Sequence, residues 1–121
     1  MVRMRSRRFL LLASMLLALA SCAGDAPEAE ACEDPTPADT VQLEDFAFEP
    51  DCVVAPVGST IQLENVGDAP HTFTVDAAGI DLDLAAGTTA EASIEDVEPG
   101  SYAVTCTYHP QMTATLTVEG Q

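Results

Sequence analysis

From Thr40 to Val118 the chain alternates apolar and polar side chains with a period of two, and turn-forming clusters interrupt it every few residues. A strand sends successive side chains to opposite faces, so this pattern requires extended segments with one buried face. Val41 and Leu43 alternate with Gln42 and Glu44, and Phe46 and Phe48 continue in the other phase, which predicts a bulge near Asp45. Further strands are predicted over 52–56, 60–66, 71–75, 80–84, 89–94, 101–106 and 112–118. Glu49-Pro50-Asp51, Val57-Gly58-Ser59, Gly67-Asp68-Ala69-Pro70, Ala85-Ala86-Gly87 and Glu98-Pro99-Gly100 punctuate most of them. No helical period appears after the N-terminal segment, and there is no internal repeat. About eight short strands at this spacing predict an all-β fold, a Greek-key β-sandwich over residues 40–121.

Near the C-terminus, Cys106-Thr-Tyr-His109-Pro-Gln-Met112 spaces a thiol, an imidazole and a thioether three residues apart. A trigonal set of two histidines and one cysteine, with a weak axial methionine, describes blue-copper electron-transfer sites. Such a set needs a second histidine, and the chain has one other, His71, in Asn65-Val-Gly-Asp-Ala-Pro-His71-Thr-Phe. The strand phases place the four together. His71 is in phase with Phe73 and Val75, Cys106 with Val104 and Tyr102, and Met112 with Ala114, Leu116 and Val118. Each therefore belongs to an inward-facing row. Cys106 ends one strand and Met112 opens the next across a five-residue loop, so both sit at one pole. Taken singly, each residue reads best as an ordinary core side chain. Jointly that reading weakens, because Met112 is the one methionine after the N-terminal segment and the chain has only two histidines.

On these residues the sequence resembles the type 1 copper proteins, the cupredoxins, and among them the plastocyanin and amicyanin-like group. The resemblance runs from about Val41 to Glu119. It implies that the Asn65…Pro70-His71 segment supplies one ligand and that a short loop supplies Cys106, His109 and Met112. It implies one copper ion, alternating between Cu(I) and Cu(II), and one-electron transfer with no bond made or broken in a substrate. His109 should then reach the surface inside an apolar patch where redox proteins dock, with Ala69, Pro70, Pro110 and Met112 as its candidates. Pro110 fixes φ and stiffens the loop. The group usually carries Asn directly after the first histidine, bonding near the cysteine. Here that position is Thr72, with Thr105 and Thr107 flanking Cys106 as alternative hydroxyl donors. Tyr102 is expected in the core and Tyr108 in a loop contact.

The N-terminus predicts export. Arg3, Arg5, Arg7 and Arg8 precede an apolar run from Phe9 to Ala20, followed by Ser21-Cys22. A basic region, a short apolar region and small residues at the cut make a signal peptide over 1–21. The apolar run is too short to span a bilayer, which takes about 20 residues. Leu19-Ala-Ser-Cys22 resembles a lipobox, so Cys22 is the expected lipid-modified N-terminus, against ordinary secretion as the rival. Residues 22–39 are rich in Pro, Ala and acid and read as a tether reaching up to roughly 50 Å when extended.

All four basic residues lie in the signal and all 20 acidic residues follow it, so residues 22–121 carry a charge of −20 with histidines neutral. Such a chain repels nucleic acid and acidic membrane surfaces and attracts cationic partners. A bland alternative is a surface suited to a salty environment. Of the four cysteines, Cys32 and Cys52 lie outside the ligand motif in an oxidising setting where disulfides persist. Joined, they would stabilise by about 3 kcal/mol. The rival pairing takes Cys106 with Cys32 or Cys52 and abolishes the metal site.

The leading expectation is a non-enzymatic, lipid-anchored electron carrier outside the cytoplasmic membrane, working between a cytochrome or quinol-oxidising complex and a terminal acceptor. The alternatives are a copper-binding and delivery protein and a metal-free structural β-sandwich. A nitrite reductase or multicopper oxidase needs further histidines for additional centres, and only two are present.

Overall fold

The computed structural model describes residues 32–120. The expected signal segment, the Cys22 lipidation site and the first part of the tether lie outside the described residues. Ten strands form two sheets: β1 (Thr36–Pro37), β2 (Thr40–Glu44), β3 (Ala47–Glu49), β4 (Cys52–Pro56), β5 (Thr60–Asn65), β6 (His71–Val75), β7 (Ile80–Leu84), β8 (Thr89–Ser93), β9 (Gly100–Thr105) and β10 (Thr113–Glu119). One sheet runs β1-β4-β10-β9-β6-β7 and the other β3-β2-β5-β8. The parallel pairs β4 with β10 and β2 with β5 join strands distant in sequence. The chain therefore crosses repeatedly between the sheets, as a Greek-key sandwich requires. A 3-10 turn at Asp76–Ala78 is the helical element among the described residues. None of their helices is long and apolar enough to cross a membrane.

The alternation read from the sequence becomes the core. Val41, Leu43, Ile61, Leu63, Val75, Ile94 and Leu116 are fully buried between the sheets. Phe48 of one sheet meets Phe73 of the other edge-on, with ring centroids 6.0 Å apart, a favoured geometry for aromatic pairs. Tyr102 packs against this core and its hydroxyl donates to the Glu98 carbonyl.

The expected bulge near Asp45 is instead a two-residue turn. Leu43 pairs with Phe48 and Glu44 with Ala47, leaving Asp45-Phe46 as the hairpin loop. The turn explains the phase change: residues paired across an antiparallel ladder share a face, so odd-numbered core residues before it become even-numbered after it. Phe46 is thereby turned out and is 53% exposed. The Asp45–Phe46 and Glu49–Pro50 peptides are cis. The tenth strand, β1, pairs in parallel with β4 inside the stretch read as a tether. Pro37 is tolerated there because an edge strand leaves one row of backbone groups unpaired. A disulfide joins Cys32 to Cys52, at the start of β4, with Cα atoms 5.8 Å apart, and anchors this segment to the sandwich.

Candidate metal centre

One pole of the sandwich gathers three connections: the Asp45-Phe46 turn, the loop from Val66 to Pro70, and the loop from Cys106 to Met112. The last is closed by two backbone bonds. Cys106 N–H donates to the Met112 carbonyl at 3.1 Å, and Met112 N–H to the His109 carbonyl at 2.8 Å. The second is an i to i+3 bond with Pro110 at the position where proline presets a turn. The first extends the β9–β10 ladder by one pair beyond Thr105 and Thr113. Cys106 and Met112 are both buried, and His109 is half-buried.

His71 opens β6, and its position is fixed from both sides. Asn65 is buried and spends its amide on the approach to it. Its Nδ2 donates to the carbonyls of Ala69 and Leu84, both at 2.9 Å, while its Oδ1 accepts from Gly67 N–H at 3.0 Å. The loop entering β6 is thus tied to the end of β7. From the other side, the Asp45 carboxylate accepts from the N–H groups of Asp68 at 2.8 Å and Ala69 at 3.2 Å. It also accepts from His71 Nε2 at 2.8 Å. The Asp68 N–H foremost, then the His71 bond and then the Ala69 N–H hold the Asp45 carboxyl below its ordinary pKa. A carboxylate can only accept, so Nε2 carries the proton and Nδ1 presents a lone pair.

That lone pair faces the cysteine. His71 Nδ1 is 3.8 Å and His109 Nδ1 3.6 Å from Cys106 Sγ, and the three donor atoms lie within 4.8 Å of one another. The separations can be tested against a metal. Bonds of about 2.3 Å to sulfur and 2.0–2.1 Å to nitrogen, the zinc values, place sulfur and nitrogen about 3.7–3.8 Å apart in a trigonal plane. Both sulfur–nitrogen separations match those around a shared ion. One soft thiolate with two imidazoles also suits copper chemically. Cys106 is the free cysteine among the described residues, so the pairing that would have removed it is not formed.

Thr72 takes over a tie to the ligand loop. Its N–H points at Cys106 Sγ at 3.4 Å. Its hydroxyl accepts from Thr107 N–H at 2.8 Å, clamping β6 to the residue after the cysteine. Thr72, Thr74 and Thr107 join their hydroxyls beside the thiol, and Thr74 donates onward to Asp81 at 3.0 Å. Of the two threonines flanking Cys106, Thr107 enters this cluster and Thr105 belongs to β9. Tyr108 is half exposed and donates its hydroxyl to Asp83.

Two residues at the centre were not legible as site residues. Asp45 holds His71, and Phe46 packs on both imidazoles, its ring centroid 4.6 Å from that of His109 and 6.0 Å from that of His71. The phase change marked their turn, but nothing in a single sequence pairs a turn with a histidine 26 positions later. Of the expected docking residues, Pro70 and Pro110 are exposed and Ala69 is half-buried, but Met112 is buried against the core and contributes no surface.

The comparisons with known proteins agree with this fold. No curated protein matches the chain. A purple cupredoxin from Nitrosopumilus maritimus is 23% identical, with a TM-score of 0.55 over 66% of this chain and 98% of its own. A mutant plastocyanin of fern is 26% identical, with a TM-score of 0.56 over 66% of this chain and 99% of its own. The Cu(I) form of an amicyanin mutant is 24% identical, with a TM-score of 0.57 over 79% and 95%. A copper-containing nitrite reductase from Thermus scotoductus also matches at 26% identity and a TM-score of 0.54, over 78% of this chain but only 25% of its own. The family model of the cupredoxin-like domain matches residues 9–118, so the chain belongs to the cupredoxins, whose cofactor is copper.

Proposed function

We propose that the protein is a one-electron carrier in which Cys106, His71 and His109 would hold copper, with Met112 as a weaker thioether ligand. The observation that carries this is the convergence of two Nδ1 atoms on one Sγ, at sulfur–nitrogen separations that match a shared ion. Bound copper would supply a Cu(II)/Cu(I) couple. The protein's part is to hold the donors so that neither oxidation state requires rearrangement. The Asn65 and Asp45 bonds fix the His71 loop, and the Pro110 turn fixes His109 relative to Cys106. With both histidines used, no imidazole remains for a second copper centre, so the reading is a carrier and not an enzyme.

His109 is the ligand nearest solvent, and Pro70, Pro110 and the outward Phe46 surround that pole with apolar surface. Together with Ala69 they form the face on which redox proteins dock, a cytochrome or quinol-oxidising complex on one side and a terminal acceptor on the other. The basic, then apolar N-terminus ending at Cys22 supports export and a lipid anchor, with the domain held outside the cytoplasmic membrane. A Cys22→Ala variant is expected to move from the membrane fraction to the soluble one.

Repeated voltammetric cycling of the copper-loaded protein in the presence of a Cu(I) chelator tests the carrier reading. A reversible one-electron wave with the metal retained is expected. Loss of copper to the chelator on first reduction would favour a delivery protein instead.

A further inference from the structure

We infer that Asp45 is a positioning residue of the metal centre: its carboxylate holds the His71 ring with Nδ1 toward the metal and lowers the reduction potential of bound copper. The inference rests on the copper reading above and adds a residue to it that does not touch the metal.

Three observations carry it. The Asp45 Oδ1 to His71 Nε2 contact is 2.8 Å, on a ring that is fully buried. The carboxylate is itself held in place, by Asp68 N–H on Oδ2 and by Ala69 N–H on Oδ1. Space is kept for it by Gly67, where an added Cβ would overlap the Asp45 carboxylate. The turn that presents Asp45 also presents Phe46, whose ring packs on both histidines. A carboxylate on the outer nitrogen of a metal-bound imidazole fixes its tautomer and raises its basicity. It also adds a negative charge near the metal, which favours the more highly charged ion. Both effects stabilise Cu(II) over Cu(I), and the potential falls.

Asp45→Asn separates charge from shape. The amide oxygen in the place of Oδ1 still accepts from Nε2 and the Ala69 N–H, and only the Asp68 bond to Oδ2 is given up, so the ring keeps its partner while the charge is lost. Asp96→Asn is the control, since Asp96 is exposed beside Ile94, at the opposite end of β8 from the Thr88–Asn65 bond. The expected result is a blue Asp45→Asn protein whose preference for Cu(II) over Cu(I) drops about tenfold, an upward shift of about 59 mV for a one-electron couple. Asp96→Asn should leave the potential unmoved. In the metal-free wild type, nitrogen-15 NMR should show His71 protonated at Nε2 and bare at Nδ1, and Asp45→Ala should mix the two tautomers.

A blue Asp45→Asn protein at the wild-type potential, or a metal-free wild type protonated at Nδ1, overturns the inference and leaves the carrier reading standing. A wild type that forms no blue centre overturns both.

Discussion

Tyr108 and Asp83 form a pair at the rim of the ligand loop, and their bond makes a prediction at the scale of one proton. The Asp83 carboxylate accepts from the phenol and faces the phenolate that would form, so the Tyr108 pKa is raised above its usual 10.0. The folded value exceeds the unfolded one, so the stabilisation is complete below about pH 10 and is lost as pH rises through the folded value. In an ultraviolet titration, Asp83→Asn should bring the Tyr108 midpoint down. An unchanged Tyr108 midpoint would show that the pair is not formed in solution. Single residues also mark where the sequence is readable. Cys106, His109 and Met112 declare themselves because metal-binding side chains at fixed spacing have few other uses. Asp45 does not, because a lone aspartate looks like any of the nineteen other acidic residues of this chain, and its function comes from a partner that only the fold supplies.

At the scale of elements, the strands were legible because each buries one face, and the period of two follows from that alone. The β2–β3 hairpin was not, since a bulge and a two-residue turn both shift the apolar phase. Only the pairing of Leu43 with Phe48 distinguishes them. β1 escaped notice for a different reason: two edge residues carry no alternation to read. It is secured largely by the Cys32–Cys52 disulfide, which bridges a sequence separation of 20. Replacing both cysteines with serine should lower unfolding stability by about 3 kcal/mol in a denaturant titration, from the freedom restored to the unfolded chain. The copper spectrum should stay as it is, because the bond lies outside the ligand set. A changed spectrum would mean that the disulfide shapes the metal pole.

At the scale of the whole molecule, a charge of −20 over residues 22–121 sets cohesion against self-repulsion. With no lysine or arginine in that region, burial and hydrogen bonds, that from His71 to Asp45 among them, must hold the sandwich together. Screening the repulsion should stabilise the fold, so the melting temperature of the metal-free protein is expected to rise between low and near-molar sodium chloride. A flat response would show that repulsion is minor. The same surface should make encounter with a cationic redox partner slower as salt increases. What the molecule does with that surface depends on whether one ion sits among Cys106, His71 and His109. Visible and electron-paramagnetic-resonance spectra of the copper-loaded wild type beside Cys106→Ser test this most directly. An intense blue band with a narrow copper hyperfine pattern in the wild type, absent from the variant, is the predicted result. The same blue spectrum in both proteins would contradict it.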